Sequence, residues 1–194
     1  MNILILGSGG REHTFAWKIS QSPLCKKLFI APGNGGTSKY GENIYVDINN
    51  FNEIKNLVIA YKIDFVLVGP EDPLVNGIVD YFEQSYELKN VKIFGPNKLG
   101  AQLEGSKTFS QSFMKRHKIP SANFKSFDVN EVDEGIKFLR SSSPPFVLKA
   151  DGLAAGKGVI ISKNLEDAEN SFKNMLINKQ FGKASDKVLI EEFL

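Results

Sequence analysis

Metal centres and disulfide frameworks usually show themselves through cysteine and histidine, and this chain has one cysteine, Cys25, and two histidines. A single cysteine excludes an internal disulfide and a cysteine-built metal cluster, and it fits a reducing compartment. His13 and His117 have no Cys or His at ligand spacing, so no zinc site is expected. Charge of one sign is lacking too: 24 basic against 22 acidic residues, interspersed, give a net charge of +2. That argues against a nucleic-acid groove, which needs basic residues massed on one face. Long apolar runs are also missing. Residues 3–6 are too few for a signal-peptide core or a membrane span and lead straight into glycines, so a cytoplasmic protein is expected. What the chain does have is 194 residues, 42% hydrophobic and 24% charged, enough for one large or two small domains with a real core.

Short apolar runs alternate with amphipathic stretches, the pattern of strands and helices around a mostly parallel sheet. Residues 2–6 predict a first strand, and 12–21 a first helix with Phe15, Trp17 and Ile19 on its apolar side. Residues 27–31 predict a second strand, 44–46 a short third, and 51–61 a helix carrying Ile54, Leu57, Val58 and Tyr61 at helical spacing. Phe65-Val66-Leu67-Val68 has no polar face and reads as a central strand covered on both sides. A helix running through Tyr86 and an edge strand at 91–94 complete a doubly wound sheet. Beyond it, 98–104 and 107–117 predict two helices, followed by a strand at 123–127 and a helix at 129–139. Strands at 146–150 and 159–162 then flank a glycine-rich segment, before a helix at 165–176 and a last strand at 188–193. The fold class is therefore α/β: a doubly wound, mostly parallel domain over 1–103, linker helices over 104–121, and a small α+β lobe over 122–194. A chain stopping on a strand would leave a buried edge without a return segment, so a fragment is expected.

Gly7-Ser8-Gly9-Gly10-Arg11-Glu12 follows a strand and opens a helix, where free backbone N–H groups and the helix dipole receive a phosphate or carboxylate. Glu12 stands where a dinucleotide fingerprint needs its third glycine, and the second strand ends in Ala31-Pro32-Gly33 instead of an acid for a ribose hydroxyl. Both departures disfavour nicotinamide binding. Ligands of open α/β sheets lie beyond the carboxyl ends of the strands, and three such ends carry polar, glycine-bearing loops: 7–12, 32–36 and 69–72. They are expected to meet in a phosphosugar pocket, with Arg11 bonding phosphate and Glu71 accepting from sugar hydroxyls or an amine. Lys149-Ala150-Asp151-Gly152-Leu153-Ala154-Ala155-Gly156-Lys157-Gly158 predicts a hairpin-like flap whose amides and lysines approach phosphates. It is not a P-loop, because Gly152 and Gly156 are too close and Gly158 replaces the metal-binding Ser or Thr.

In order along the chain, Gly7 to His13 with Ala16-Trp17-Lys18, Ala31-Pro32-Gly33-Asn34, Val68-Gly69-Pro70-Glu71, Phe94-Gly95-Pro96, Gln102 to Lys107, Lys149 to Gly158 and Ile190 to Leu194 resemble the phosphoribosylamine–glycine ligase family of ATP-grasp enzymes. The resemblance spans the whole chain. It implies an N-terminal ligand domain, connecting helices and a small ATP-grasp lobe, with the central and C-terminal domains missing. It implies a C–N ligase of purine biosynthesis that joins glycine to 5-phosphoribosylamine with ATP and Mg²⁺ through a glycyl phosphate. On this basis Lys107 and Lys149 contact ATP phosphates, Asp151, Gly152, Gly156, Lys157 and Gly158 form the flap, and Glu191, Glu192, Phe193 and Leu194 pass the adenine edge. Gly9, Gly10, Arg11, Glu12, Asn34 and Glu71 are implied on the phosphoribosylamine side. The Mg²⁺ ligands are implied to lie beyond residue 194, so these residues alone are expected to hold no metal, no secure catalytic group and no ligase activity. The expected partners are small molecules, with no nucleic acid and no membrane. Two other readings stay open on the residues alone: a nicotinamide-dependent oxidoreductase, and a non-catalytic nucleotide-sensing module built on the same loops.

Overall fold

The computed structural model describes residues 1–194, which form two compact units, Met1–Ala101 and Gln102–Leu194. In the first, β1 (Asn2–Gly7), β2 (Lys27–Pro32), β3 (Glu42–Asn43), β4 (Phe65–Val68) and β5 (Lys92–Phe94) make a parallel sheet in the order β3-β2-β1-β4-β5. The chain steps from β1 to one side for β2 and β3, then crosses to the other side for β4 and β5. Winding reverses at β1, which makes this the topological switch point of the sheet.

Alternation along β1 sends side chains to two cores. Ile3 and Ile5 join Leu28, Ile30 and Ala16, with Phe15 and Ile19 of α1 (Gly10–Ser20) packed against them. Leu4 and Leu6 join Phe29, Val66 and Val68 under α2 (Phe51–Ala60) and α4 (Ile78–Gln84), through Ile54, Leu57, Val58, Ile78, Val79 and Phe82. Both faces of the sheet are thus covered.

Several sequence expectations need correction. Trp17 is 48% exposed, and the buried positions of α1 are Glu12 and Ala16. The third strand is Glu42–Asn43, not 44–46, because the Asn43 side chain is drawn to the loop at Asn34 and Thr37. The middle strand is β1; β4 is interior but flanked by the edge strand β5. The long helix through Tyr86 is cut at Gly77, whose φ of 95° ends α3 (Glu71–Asn76) before α4 begins.

In the second unit, β6 (Phe124–Asp128), β7 (Phe146–Ala150), β8 (Val159–Ser162) and β9 (Lys187–Glu191) form an antiparallel sheet in the order β6-β9-β7-β8. The last strand is therefore no unpaired edge, since β9 lies between β6 and β7. The helix expected over 129–139 opens with a 3₁₀ turn, Val129–Glu131, before α7 (Val132–Ser141). Residues 98–116 form α5 (Lys98–Gly105) and α6 (Lys107–Arg116). The α7 helix and α8 (Leu165–Leu176) cover one face of the sheet, where Phe146, Leu148, Ala150, Val188 and Ile190 meet Ile136, Leu139, Phe172 and Met175. By alternation Val147, Lys149, Leu189 and Glu191 occupy the other face, with Val159 and Ile161 exposed beside them. No helix is long and apolar enough to cross a membrane.

Candidate functional site

In the first unit the loops after β1, β2 and β4 meet. Gly33 N–H donates to Gly7 O at 3.2 Å, and Asn34 Nδ2 donates to Ser8 O at 2.8 Å. A Cβ on Gly69 would fall 2.2 Å from Glu12 Oε1, so the loop after β4 closes against the start of α1 with no room for a side chain.

Glu12 is 3% exposed and fully engaged: Oε2 accepts the Gly9 N–H at 2.6 Å, and Oε1 faces Arg11 Nε at 3.2 Å. It holds the glycine loop from within. Asn34 is likewise a brace, because its Oδ1 accepts from the N–H groups of Gly36 and Thr37 while its Nδ2 is tied to Ser8. What stays open is the Gly10 backbone N–H and the pair Arg11–Glu71, with Nη2 to Oε2 at 3.1 Å and side chains 56% and 43% exposed. The Glu71 carboxyl is held below its usual value, first by the backbone N–H at the start of α3 and then by Arg11. Glu71 in turn raises Arg11. The first-turn N–H groups of α1 have no acceptor within the helix, and with Arg11 they present a positive rim.

In the second unit, Asp151 fastens the start of the flap to α6. Its carboxylate accepts from Thr108 N–H at 2.6 Å and from Ser106 Oγ at 3.0–3.1 Å, while Ser106 Oγ caps α6 by accepting from Phe109 N–H. Lys107 Nζ folds back onto the Gly152 carbonyl at 3.1 Å. Burial, and then the neighbouring Lys149, push the Lys107 ammonium below the ordinary lysine value, while Asp151 acts the other way.

Gly152 is pinned by its N–H to Ala184 O, and a Cβ there would meet Ala184 Cα at 2.9 Å. The flap tip turns through Ala155 and Gly156, at φ 48° and 75°, with Lys157 N–H closing on Ala154 O. Two successive positive φ values are those of a type I′ hairpin turn. Lys157 is exposed, and Gly158 is buried with no room for a Cβ beside Ala154 and Ala150.

Lys149 Nζ donates to Glu191 Oε2 at 2.5 Å, and Gln111 Nε2 reaches Glu191 Oε1 at 3.4 Å. Glu192 clamps Asn123, accepting from its backbone N–H and its Nδ2, both at 2.9 Å. Glu191, Glu192 and Phe193 line a cleft of about 580 Å³ with Phe124, Phe138 and Pro145, and Leu194 is exposed. Sequence reasoning missed Ser106 as a cap, and with it Thr108, Gln111 and Asn123. Only the serine three residues before Phe109 carried a local signal, that of an N-cap.

A curated phosphoribosylamine–glycine ligase from Haemophilus influenzae is 48% identical over 196 residues, and one from Escherichia coli 46%. Each alignment takes in 100% of this chain, and the chain spans 44% of the length of either relative. A solved phosphoribosylamine–glycine ligase from Thermotoga maritima superposes with a TM-score of 0.76 at 32% identity, over 100% of this chain and 44% of that one. An N5-carboxyaminoimidazole ribonucleotide synthetase from Thermus thermophilus, at 16% identity and a TM-score of 0.70 over 100% of this chain and 47% of its own, shares the fold. The family model for the N domain of phosphoribosylglycinamide synthetase matches residues 1–104 and that for its ATP-grasp (A) domain residues 105–194, so the chain belongs to the phosphoribosylglycinamide synthetase family.

Proposed function

We propose that this chain supplies the phosphosugar-amine and nucleotide elements of an ATP-dependent ligase that joins glycine to 5-phosphoribosylamine in cytoplasmic purine biosynthesis. The carrying observation is that Lys107, distant in sequence, is bonded through its backbone N–H and its Nζ to the carbonyls of residues 151 and 152, just past Lys149 on β7, so that the two ammonium groups lie within each other's field. Lys149 has a buried carboxylate partner in Glu191, whereas Lys107 has only carbonyls within hydrogen-bond reach. Two cations held together in a partly desolvated place repel each other until a polyanion such as a triphosphate arrives. The names of the relatives support the same reading.

Glycine's carboxylate is a poor acyl donor until one oxygen becomes a phosphate leaving group. The reaction therefore takes a phosphoryl transfer from ATP to glycine, then attack of the sugar amine on glycyl phosphate with loss of phosphate. In this reading Lys107 exchanges the Gly152 carbonyl for phosphate oxygens, Lys149 stands beside it, and residues 152–158 close over them to keep water from the acyl phosphate. Residues 191–194 run along the base. Arg11 and the free amide of Gly10 take the phosphosugar, Glu71 its amine or hydroxyls, and Glu12, through the Gly9 N–H, and Asn34 keep those loops in shape.

Mg²⁺ does not fit the donors present. No three His, Cys, Asp or Glu side chains converge, and Asp151 and Glu191 are committed to Thr108 and Lys149. In this reading the metal ligands belong to the part of the relatives' length that this chain does not span.

The test is a chimera in which this chain replaces the matched portion of the Haemophilus influenzae relative. It is expected to form glycinamide ribonucleotide, to lose about 100-fold or more in turnover with Lys107→Met, and to need more 5-phosphoribosylamine, but no more ATP, with Arg11→Ala. A folded chimera without turnover would refute the assignment, and turnover by the 194 residues alone would refute the division of labour.

A further inference from the structure

The Gln111 amide lies on the buried side of α6 against Glu191, whose other oxygen holds Lys149. Its Nε2 reaches Glu191 Oε1 at 3.4 Å, longer than a strong charge-assisted bond, so this contact adds little stability. The opposite end of the amide, Oε1, is buried and has no hydrogen-bond partner. A buried, unpaired carbonyl is destabilising, and a methionine of similar length would fill the same space with no orphaned atom. On stability alone, then, glutamine is a poor choice at this position.

We infer that Gln111 is a positioning residue of the nucleotide site: it steers the Glu191 carboxylate so that Lys149 is aimed along the sheet face opposite α7 and α8, at the expense of stability. A polar group that breaks the packing rule without stabilising the fold is expected where function needs it. The inference rests on the nucleotide reading above.

The test compares the chain with its Gln111→Met, Gln111→Glu and Lys149→Met variants by thermal unfolding and by titration with ATP followed in ¹H–¹⁵N NMR spectra, which register weak binding. Gln111→Met is expected to melt at or above the unmodified chain and to bind ATP about twofold more weakly, the effect of losing one weak hydrogen bond. Gln111→Glu sets a second carboxylate beside Glu191 to compete for Lys149, and it too weakens ATP binding. Unchanged ATP affinity in Gln111→Met overturns the inference, and so does a lowered melting temperature, which marks a purely structural residue. If Lys149→Met abolishes ATP binding while Gln111→Met leaves it intact, the positioning role fails and the nucleotide reading stands. Absence of ATP binding by the unmodified chain overturns both.

Discussion

Replacing Asp151 by alanine is expected to destabilise the second unit by about 2 kcal/mol, and the figure follows from what its carboxylate holds. Thr108 N–H, at 2.6 Å, is one of the first-turn donors of α6 with no acceptor inside the helix. A hydrogen bond to a charged acceptor contributes about 1.5–3 kcal/mol, and losing a cap costs about 1 kcal/mol. Ser106 Oγ loses its acceptor but still caps Phe109 N–H at 3.1 Å, which keeps the total near the lower end. The backbone of residue 151, bonded to Lys187 O and by Lys107 N–H, is unaffected by the substitution. For a unit of this size about 2 kcal/mol corresponds to a melting temperature lower by ~10 °C. Urea unfolding of Asp151→Ala, Ser106→Ala and the double variant measures both the loss and the coupling. The two sites share a bond, so the double variant should lose about 1 kcal/mol less than the sum of the singles. A loss under about 0.5 kcal/mol for Asp151→Ala, or strict additivity with Ser106→Ala, would refute the view that this carboxylate fastens the flap to α6.

The remaining predictions concern protons, backbone and close packing. Lys107 is held below its unfolded value of 10.5, so the folded chain binds fewer protons than the unfolded one between the lowered value and 10.5, and stability from this group rises with pH across that window. If Lys107 meets the nucleotide as proposed, ATP binding should weaken as pH climbs through the lowered value; titrations from neutral pH upward check this, and Lys107→Met should remove the dependence. Ala155 sits at φ 48° in a turn that favours Asn or Gly, so Ala155→Asn should stabilise the second unit by about 0.5–1 kcal/mol in urea unfolding. Gly69→Ala drives a methyl into Glu12, and moving that side chain gives up the Gly9 N–H bond. A loss of about 2 kcal/mol from the first unit is expected, and an unchanged melting temperature would contradict the packing at that point.

Legibility in the sequence followed the range of the forces involved. The segments Phe146–Ala150, Val159–Ser162 and Leu165–Leu176 coincide with β7, β8 and α8 because local signals bound them: prolines before the first, glycine between the strands, and an Asn164 cap before the helix. The third strand was misread because Glu42 and Asn43 are polar, and pairing there is decided by the Asn43 amide reaching Asn34 and Thr37. The break at Gly77 was missed because the apolar spacing continues on both sides of it, and only the backbone shows φ turning positive. At the candidate site, the glycines and lysines were visible as motifs. Their partners were not, because no periodicity in 107–116 announces that Thr108 meets Asp151 or that Gln111 meets Glu191.

The two units solve one electrostatic problem in the same way. A glycine-rich loop or helix start meant for an anion collapses or frays when empty, since its donors lack partners. In each unit a carboxylate of the chain takes up part of that role: Glu12 accepts the Gly9 N–H, and Asp151 accepts the Thr108 N–H. Each also leaves a neighbouring cation turned outward or held by weak partners, Arg11 against the exposed Glu71 and Lys107 against backbone carbonyls. Internal carboxylates thus keep the cradles formed; Glu12 also pairs with Arg11 Nε at 3.2 Å, so a phosphate there would compete with it, whereas at Lys107 a ligand need only exchange carbonyl contacts for its own oxygens. It follows that Glu12→Gln and Asp151→Asn, which keep an acceptor and lose the charge, should harm stability less than anion affinity would gain from the more positive field. Paired measurements of melting temperature and of phosphate or ATP binding on these two variants test that, and a loss of anion affinity as large as the loss of stability would show that the carboxylates shape the ligand contacts themselves.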